Sequence, residues 1–404
     1  MSTLPVRPHV RAGCDFRRAQ NLAELRAVAR RRLPAFLFEY VDGGAEDEIT
    51  LAANRAAYTR IGLTPRTLAG VAARDPSISL LGRPAALPLA VSPTGFNGML
   101  WPGADLALAR AAAAAGVPFT LSMASNMKLE TVASAGGRLW MQLYMTRNRD
   151  FIASLVARAQ AAGFEALVLT TDVPVGGSRE WDRRSYHSGM SLTWRRRLEV
   201  LRHPRWLAGF LAHGGPPPFA NLEGLLPPGR IDTGTAMYHM GSQMDAGVDW
   251  DDLRWLRGLW PGKLLVKGIL HPGDALRATD CGADGILLSN HGGRQLDGAV
   301  APLAVLAETV KILAGRAEIL LDGGVRRGID ALKARALGAT AVSLGRPLLY
   351  GVAAAGEAGA THALTLLRGE IDRGLALLGC PATTALGPDF LYSDETGRRT
   401  APHA

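Results

Sequence analysis

One pattern recurs eight times from about residue 87 onward: a short apolar run, a polar residue, and then a segment with helical spacing. The apolar runs are LPLAVSP, PFTLS, LWMQLY, ALVLTTD, KLLVKGI, GILLSN, EILLDGG and AVSLGRP. Between them lie Ala- and Leu-rich segments such as GADLALARAAAAAG and GIDALKARALGA, whose apolar residues recur with the period of a helix. This alternation predicts buried parallel strands joined by crossover helices.

Eight strand–helix units predict an α/β protein built on a (β/α)8 barrel, the TIM barrel. An open doubly wound sheet is the alternative, but no glycine-rich GxGxxG turn follows the first apolar run. We expect residues 1–85 to form an N-terminal helical segment that packs on the barrel, and residues 86–404 to form the barrel itself. A long insertion after strand 4, at 190–235, interrupts the barrel because no strand or helix pattern of the repeat is evident there.

The composition excludes several classes of protein. Hydrophobic residues make up 48% of the 404 residues and charged residues 20%, as in a folded globular protein. The net charge is +9, but the arginines that dominate the basic residues are spread along the chain, so we expect no nucleic-acid partner. Cys14, Cys281 and Cys380 are far apart and have no metal-ligand spacing, which fits a reducing cytoplasm. The first residues lack an apolar run of signal-peptide length, no run is long enough to span a membrane, and the histidines have no metal-binding spacing, so we expect no signal peptide, no membrane-spanning segment and no metal site.

Polar or charged groups follow all eight apolar runs. In a barrel of this kind the active site lies at the C-terminal ends of the strands, so eight such ends together predict a ring of groups around a large polar ligand. In chain order the groups are Ser92 and Thr94, Ser122, Gln142 and Tyr144, Thr170 and Asp172, Lys267, Ser289 and His291, Asp322, and Gly345 and Arg346.

The seventh and eighth strand ends, LDGGVRRG and LGRP, combine glycines with arginines. Glycines let backbone N–H groups approach phosphate oxygens, and Arg326 and Arg346 can each bind these oxygens through two N–H groups. We therefore predict a phosphate-bearing cofactor or substrate. For Lys267, at the end of an otherwise apolar strand, two roles are open: a Schiff-base amine, as in barrel aldolases, or a cation beside a cofactor that becomes anionic.

A set of longer motifs covers nearly the whole chain: LPAFLFEYVDGGAEDE, SPTGFNGMLWPGADLALARAA, LSMASNMKLE, MQLYMTRNRD, TTDVPVGGSRE, VKGIL, SNHGGRQLDG and DGGVRRG. With these motifs the sequence resembles the FMN-dependent 2-hydroxy-acid oxidases and dehydrogenases. SNHGGRQLD with DGG-R-G downstream is the most specific part of the resemblance. Within the family, PTGFNGMLWPGADLALARAA and LSMASNM are most similar to the mandelate dehydrogenases.

The resemblance implies FMN as the cofactor and a set of residues that bind it. Asp322 is expected to bind the ribityl chain, and Lys267 to lie near N1 and O2 of the flavin, where it stabilises the anionic reduced ring; this removes the Schiff-base role. The phosphate is expected at Gly324, Arg326, Gly345 and Arg346. The remaining flavin contacts implied are the backbone of Pro93, Thr94 and Gly95, together with Ser122, Gln142, Thr170 and Ser289.

The resemblance also implies the catalytic residues. His291 is expected to be the base and Asp172 to support it, because histidine titrates near neutral pH and a carboxylate partner stabilises its charged form. Arg294 and Arg179 are expected to face the substrate carboxylate, since the planar guanidinium holds a carboxylate in one orientation. The hydroxyls of Tyr40 and Tyr144 are expected to help them bind the substrate.

The middle of the insertion, SLTWRRRLEVLRHPRWLAGFLAHGGPPPF, mixes aromatic and aliphatic residues with a cluster of arginines. Such a mixture is typical of a segment that lies on an anionic bilayer, and a lid or a subunit contact is the alternative. Family members similar to mandelate dehydrogenase attach to membranes at this place. This implies a protein on the cytoplasmic side, peripheral on the inner face of the cell membrane, with a membrane quinone as the electron acceptor.

Small residues, Ala124 and Gly176, stand where glycolate-using relatives have bulkier side chains, which leaves room for an aromatic group on C2 of the substrate. We therefore expect oxidation of (S)-mandelate to benzoylformate. A soluble oxidase that acts on hydroxymandelate, lactate or a similar acid and makes hydrogen peroxide is the main alternative, and a Schiff-base aldolase using Lys267 is a remote one. The resemblance further suggests a homotetramer.

Overall fold

The structure is a computed structural model that describes residues 13, 15–185, 192–226 and 239–393. Cys14 and the two ends of the chain, 1–12 and 394–404, lie outside the described residues. Parts of the predicted insertion, 190–191 and 227–235, also lie outside them.

The residues before the barrel form helices and short strands. These are the helices α1 (Leu22–Arg32), α2 (Ala35–Asp42) and α3 (Ile49–Thr59), and the strands β1 (Ile61–Leu63), β2 (Ile78–Leu80) and β3 (Arg83–Ala85). The side chain of Asn21 caps α1 by accepting a hydrogen bond from the Glu24 N–H. The helices confirm the predicted helical segment, whereas the antiparallel pair β2–β3 was not indicated by the sequence pattern.

Eight parallel strands then close into a barrel, as the eightfold repeat predicted. They are β4 (Leu89–Val91), β5 (Phe119–Ser122), β6 (Leu139–Tyr144), β7 (Ala166–Thr170), β8 (Lys263–Ile269), β9 (Gly285–Leu288), β10 (Glu318–Leu321) and β11 (Ala341–Leu344). The strands pair in chain order, and β11 pairs with β4, which closes the sheet and excludes the open doubly wound alternative.

Helices follow the barrel strands and cover the sheet from outside. They are α4 (Ala104–Ala115), α5 (Leu129–Ala133), α6 (Arg149–Ala161), α10 (Trp250–Leu259), α11 (Pro272–Asp280), α12 (Pro302–Leu313), α13 (Gly328–Ala336) and α14 (Arg346–Leu378). The long connection after β7 adds α7 (Glu180–Ser185), α8 (Trp194–Val200) and α9 (Pro204–Ala212). Helix α4 is rich in alanine, the best helix former, and ends at Gly116 in the left-handed conformation. Helix α14 is interrupted at Ala355 and Gly356, whose dihedral angles are not helical.

The remaining elements are short. Strand β12 (Leu391–Ser393) pairs with β1, so the end of the described chain is tied to the N-terminal segment. Single 3-10 turns occur at Phe16–Arg18, Asn97–Met99, Thr383–Ala385 and Pro388–Phe390.

The inside of the barrel is filled by apolar side chains at its N-terminal end. Trp140, Val168, Leu265 and other inward-facing residues form one buried cluster with Ile78 and Leu80 of the β2–β3 hairpin. The hairpin therefore covers this end of the barrel, and the opposite, C-terminal end is left for a ligand cavity. This is the end at which the sequence placed the polar groups.

The described part of the insertion packs on α2 and on the loops after β4 and β5. Glu199 accepts a hydrogen bond from the first N–H of α2, at Ala35 (3.0 Å), and Arg196 forms an ion pair with Glu39 at 2.8 Å. The ring of Phe219 lies 4.5 Å from that of Phe96. Within the described ranges, every helix is too short or not apolar enough to cross a membrane.

Candidate active site

A cavity of about 280 Å³ opens at the C-terminal end of the barrel. Most of the predicted site residues line it: Tyr40, Pro93, Thr94, Gly95, Ser122, Tyr144, Arg179, Lys267, His291, Arg294, Asp322, Gly324, Arg326, Gly345 and Arg346. The other predicted residues, Asp172, Gln142, Thr170 and Ser289, lie behind this lining and are hydrogen-bonded to it or to one another. The fold therefore brings the whole predicted set together.

His291 and Asp172 form a hydrogen bond at the centre of the site, with 2.8 Å between His291 Nδ1 and Asp172 Oδ1. Burial opposes the charge of Asp172, but His291 and Lys267 outweigh burial and hold the pKa of Asp172 well below its usual value. Burial lowers the pKa of His291, and this effect exceeds that of Asp172, which raises it. The imidazole is therefore neutral at neutral pH. Because Nδ1–H points to Asp172, Nε2 is left as a proton acceptor.

Lys267 is buried beneath this pair and has two carboxylate neighbours. Its Nζ lies 3.3 Å from Asp172 Oδ2 and 3.7 Å from Asp322 Oδ2, and it donates a hydrogen bond to Ser289 Oγ at 3.0 Å. Burial lowers the pKa of Lys267, but the two carboxylates outweigh burial and raise the pKa above its usual value. Lys267 is thus held as a cation, not as the neutral amine that a Schiff base requires.

Arginine and tyrosine side chains form one wall of the cavity. Arg179 Nε is buried and has no hydrogen-bond partner among the residues that the structure describes. The guanidinium of Arg294 lies 5.2 Å from the centre of the Tyr40 ring, and the Tyr40 hydroxyl donates to the carbonyl of Gly95 at 3.3 Å. A buried N–H group without a partner is unfavourable, and a carboxylate is the acceptor that a guanidinium binds best.

Hydrogen bonds between strand ends orient the groups behind the lining. Ser122 Oγ donates to Gln142 Oε1 at 3.0 Å, and Gln142 Nε2 donates to Thr170 Oγ1 at 3.1 Å, so β5, β6 and β7 are linked side chain to side chain. Tyr144 ends β6 at the cavity. Burial raises the pKa of Tyr144 to about 12, so its hydroxyl remains protonated and can donate.

The loops after β10 and β11 form the far side of the cavity. Asp322 Oδ1 is buried and has no hydrogen-bond partner in the described part of the chain. Burial lowers the pKa of Arg326, because its charge is incompletely compensated there. The guanidinium of Arg346 donates to the carbonyls of Val41, Gly292 and Gly43 at 2.7–2.9 Å, which leaves N–H groups of its fork for a ligand.

A family model described as FMN-dependent dehydrogenase matches residues 29–393, which is most of the chain. The chain belongs to the FMN-dependent dehydrogenase family. It is therefore an FMN-dependent enzyme that oxidises 2-hydroxy acids, as the resemblance in the sequence implied.

Individual members of the FMN-dependent dehydrogenase family match the chain over nearly its full length. It is 46% identical to (S)-mandelate dehydrogenase of Pseudomonas putida over 384 residues, which are 95% of this chain and 96% of that protein. It is 41% identical to an L-lactate oxidase of a Nostoc strain over 92% of this chain and 98% of that protein. The crystal structure of (S)-mandelate dehydrogenase, described as a monotopic membrane protein, superimposes with a TM-score of 0.89 at 46% identity, covering 93% of this chain and 100% of that one.

The cavity fits FMN on features of this chain alone. The unpartnered Asp322 Oδ1 is suited to accept a hydrogen bond from a sugar-alcohol hydroxyl, and the partly buried Arg326 is suited to bind an anion. A Cβ atom on Gly324, which has a φ of 83°, would lie 2.1 Å from the carbonyl oxygen of Asn54, so this loop has no room for a side chain. Lys267 supplies the buried cation that a ring gaining negative charge needs.

Some lining residues were not predicted from the sequence. Phe96 follows a predicted residue, whereas Met240 and Met244 come from the return of the insertion to the barrel, where no periodic pattern marks them. Behind the lining, Gln295 Nε2 donates to the carbonyls of Asp172 (3.0 Å) and Val175 (2.9 Å), which fixes the loop after β7. Gln295 lies inside the motif SNHGGRQLDG, so this motif was the signal that could have identified it.

Proposed function

We propose that this enzyme oxidises (S)-mandelate to benzoylformate and passes the electrons to a membrane quinone. The observation that carries the proposal is one cavity lined by His291, which is paired with Asp172, by Arg179, whose buried Nε has no hydrogen-bond partner among the described residues, and by the small residues Ala124 and Gly176. A base and a carboxylate anchor are the two protein groups that oxidation of a 2-hydroxy acid needs.

In this proposal the predicted FMN-binding residues keep their roles. Asp322 would hold the ribityl chain, while Gly324, Arg326, Gly345 and Arg346 would hold the phosphate. The residues that would contact the flavin ring are Pro93, Thr94, Gly95, Ser122, Gln142, Thr170, Lys267 and Ser289. When bound, FMN supplies the acceptor for the two electrons of the substrate.

His291 is the proton acceptor in this proposal. Its Nδ1 is occupied by Asp172 at 2.8 Å, so Nε2 takes the substrate proton and Asp172 stabilises the imidazolium that results. The low pKa of Asp172 keeps this carboxylate ionised throughout. Arg179 and Arg294 hold the substrate carboxylate, with the hydroxyls of Tyr40 and Tyr144 as further donors, which fixes C2 of the substrate in one orientation.

The size of the pocket supports an aromatic substituent on C2. A Cβ atom added to Gly176 would have no neighbour within 4 Å, and Ala124 contributes only a methyl group to the lining. Phe96, Met240 and Met244 add apolar and aromatic surface, and methionine sulfur makes favourable contacts with aromatic rings. These residues suit a phenyl ring better than the methyl group of lactate.

The insertion supports a peripheral position on the inner face of the cell membrane. Trp194, Leu198, Leu201 and Leu211 are 56–64% exposed, close in sequence to Arg195, Arg197, Arg202 and Arg205. Exposed apolar groups beside cations favour binding to an anionic bilayer. A quinone dissolved in that bilayer would be available as the electron acceptor. The similar (S)-mandelate dehydrogenase is itself a monotopic membrane protein. We also propose a homotetramer, which the mass of the protein in solution would test.

The first experiment mixes the FMN-loaded protein with (S)-mandelate without oxygen, follows the flavin absorbance, and then admits air. We expect fast bleaching and slow reoxidation, as for a dehydrogenase that needs a quinone. Fast reoxidation with formation of hydrogen peroxide would instead favour the soluble oxidase. The similarity to L-lactate oxidase supports this alternative. Bleaching by lactate but not by mandelate would overturn the argument from Ala124 and Gly176.

A second experiment tests the membrane contact with vesicles that contain anionic lipid. Replacing both Leu198 and Leu201 with Glu should abolish sedimentation with the vesicles and leave mandelate-driven bleaching unchanged. The matched control is Leu377→Glu, since Leu377 is 71% exposed but lies on α14, away from the insertion. Equal vesicle binding by all three proteins would contradict the proposed surface.

A further inference from the structure

The turn that carries His291 has a backbone conformation that residues with side chains rarely adopt. His291, Gly292 and Gly293 follow one another with φ angles of 57°, 66° and 73°. Glycine adopts the left-handed region freely, but histidine does so at a cost, and such a conformation persists only where its surroundings hold it. The position of the His291 ring therefore depends on whatever holds this turn.

Side chains hold the turn at both ends. The N–H of His291 donates to Ser289 Oγ at 2.9 Å, and the N–H of Gly293 donates to Asn290 Oδ1 at 3.0 Å. The side chain of Asn290 thus reinforces the backbone hydrogen bond that closes the turn, from the Gly293 N–H to the Asn290 carbonyl (3.1 Å). For this it must keep its oxygen, and not its NH2 group, towards Gly293.

Asn54, in α3, fixes that orientation together with the carbonyl of Val300, which accepts a hydrogen bond from Asn290 Nδ2 at 3.1 Å. Asn54 Nδ2 donates to Asn290 Oδ1 at 2.8 Å, and Asn290 Nδ2 donates back to Asn54 Oδ1 at 2.7 Å, so the two amides form a reciprocal pair. Both side chains are buried, and 236 residues of sequence separate them. Because each amide is both donor and acceptor, rotating Asn290 would place oxygen against oxygen and nitrogen against nitrogen.

Helix α3 is itself held against this region. The carboxylate of Asp297 accepts hydrogen bonds from the N–H groups of Ile49 (3.1 Å) and Thr50 (2.7 Å) at the start of α3. Arg55 donates to the carbonyl of Gly324, in the loop after β10. The helix that carries Asn54 is therefore hydrogen-bonded both to the segment after β9 and to the loop after β10.

We propose that Asn54 is a positioning residue for His291, acting through the amide of Asn290. Asn54 does not line the cavity and touches no reacting group. The inference rests on the proposed role of His291 as the base. It adds a residue of the N-terminal segment to the machinery of the barrel.

The test is anaerobic mixing of the FMN-loaded Asn54→Ala variant with (S)-mandelate over a range of pH. We expect flavin reduction to be about 10- to 100-fold slower than in the parent, as for the loss of a group that orients a reacting one, while FMN affinity changes less than about twofold. A looser turn admits water to His291, so the acid limb of kcat/KM should move up towards pH 6.5, the usual pKa of histidine. General destabilisation would not move this limb.

The pair Asn54→Ala and Asn290→Ala, with the double variant, shows whether the two amides act as one unit. If they do, the double variant reduces FMN no more slowly than the slower single variant. The matched control is Tyr58→Phe on the same helix, because the buried Tyr58 hydroxyl has no hydrogen-bond partner among the described residues and should not affect the rate.

Two results would overturn the inference: a parental rate in Asn54→Ala, or effects of the two single variants that multiply. If Asn54→Ala does not fold, Asn54→Asp keeps the size of the side chain and still removes the donor to Asn290, so it should show the same slowing. The variant His291→Gln distinguishes a failure of the proposed function from a failure of the inference about Asn54. Fast reduction in that variant would remove the proposed function itself, whereas slow reduction there with a parental rate in Asn54→Ala would remove only this inference.

Discussion

The two ends of the barrel carry similar residues but differ in how their polar atoms are paired. At the N-terminal end, Glu165 accepts hydrogen bonds from Arg83 (2.6 Å), Arg138 (2.8 Å) and Trp140 (2.7 Å). Nearby, Asp284 forms ion pairs with Lys263 and Arg257. These charges satisfy one another within the chain.

At the C-terminal end, buried polar atoms lack partners within the described chain, as Arg179 Nε and Asp322 Oδ1 do. The N-terminal end has two comparable atoms, Glu318 Oε2 and Arg335 Nε, but the β2–β3 hairpin covers the inside of the barrel there. A saturated network contributes to stability, and an unsaturated one in a cavity prepares for a ligand. Substitutions at the N-terminal end should therefore lower mainly the stability, and substitutions at the C-terminal end should lower mainly the activity.

The largest effect is expected from His291→Gln at the C-terminal end. Loss of the proton acceptor should lower the rate of flavin reduction by mandelate by about 10²–10⁴-fold, while the melting temperature stays close to that of the parent. Stopped-flow absorbance and thermal unfolding measure the two quantities. His271→Gln, at an exposed histidine outside the cavity, is the control and should reduce FMN at the parental rate.

Arg179→Met should come next. The variant keeps an extended side chain but removes the cavity-lining charge that we propose binds the substrate carboxylate, so kcat/KM should fall about 100-fold, as for loss of a charged hydrogen bond of about 3 kcal/mol. Steady-state kinetics with mandelate give this value. Arg110→Met removes only an exposed ion pair with Glu357 and should change kcat/KM little, and equal effects of the two variants would contradict the comparison.

Glu165→Gln tests the opposite end of the barrel. It leaves Arg138, whose side chain is 10% exposed, without its carboxylate, so the free energy of unfolding should fall by about 3 kcal/mol in denaturant titrations. Flavin reduction should remain within about twofold of the parent. The exposed Glu308→Gln is the control for stability. Slow reduction in folded Glu165→Gln would show that the two ends are not independent.

The smallest effect concerns pH. The pKa of His291 lies below its usual value of 6.5, and the base works only when it is neutral. The parent should therefore keep its kcat/KM as the pH falls through 6.5 and lose it only at lower pH. In Asp172→Asn the carboxylate that raises this pKa is gone, so the acid limb should move further down, while the rate itself falls. A limb that moves up in this variant would contradict the assignment of the pair.

The prediction from sequence was accurate where the signal is local. Each strand has its own apolar run, which is followed by polar or charged residues. The strand ends from Ser92 to Arg346 could therefore be assigned to the C-terminal end of the barrel from the sequence alone. Lys267 was ambiguous from position alone, because only its distances to Asp172 and Asp322 show that it is held as a cation. Met240 and Met244 could not be placed, since they follow an insertion without periodicity.

The sequence by itself determined the barrel, the family and the kinds of side chain at its C-terminal end, because strand period, helix period and the motif SNHGGRQLDG are properties of neighbouring residues. The tertiary structure alone decided which of those polar atoms remain without partners and which distant residues orient them. Asn54 meets Asn290 only because the closed barrel brings α3 onto the loop after β9. Contacts of this kind depend on closure and packing, and no local pattern of residues encodes them.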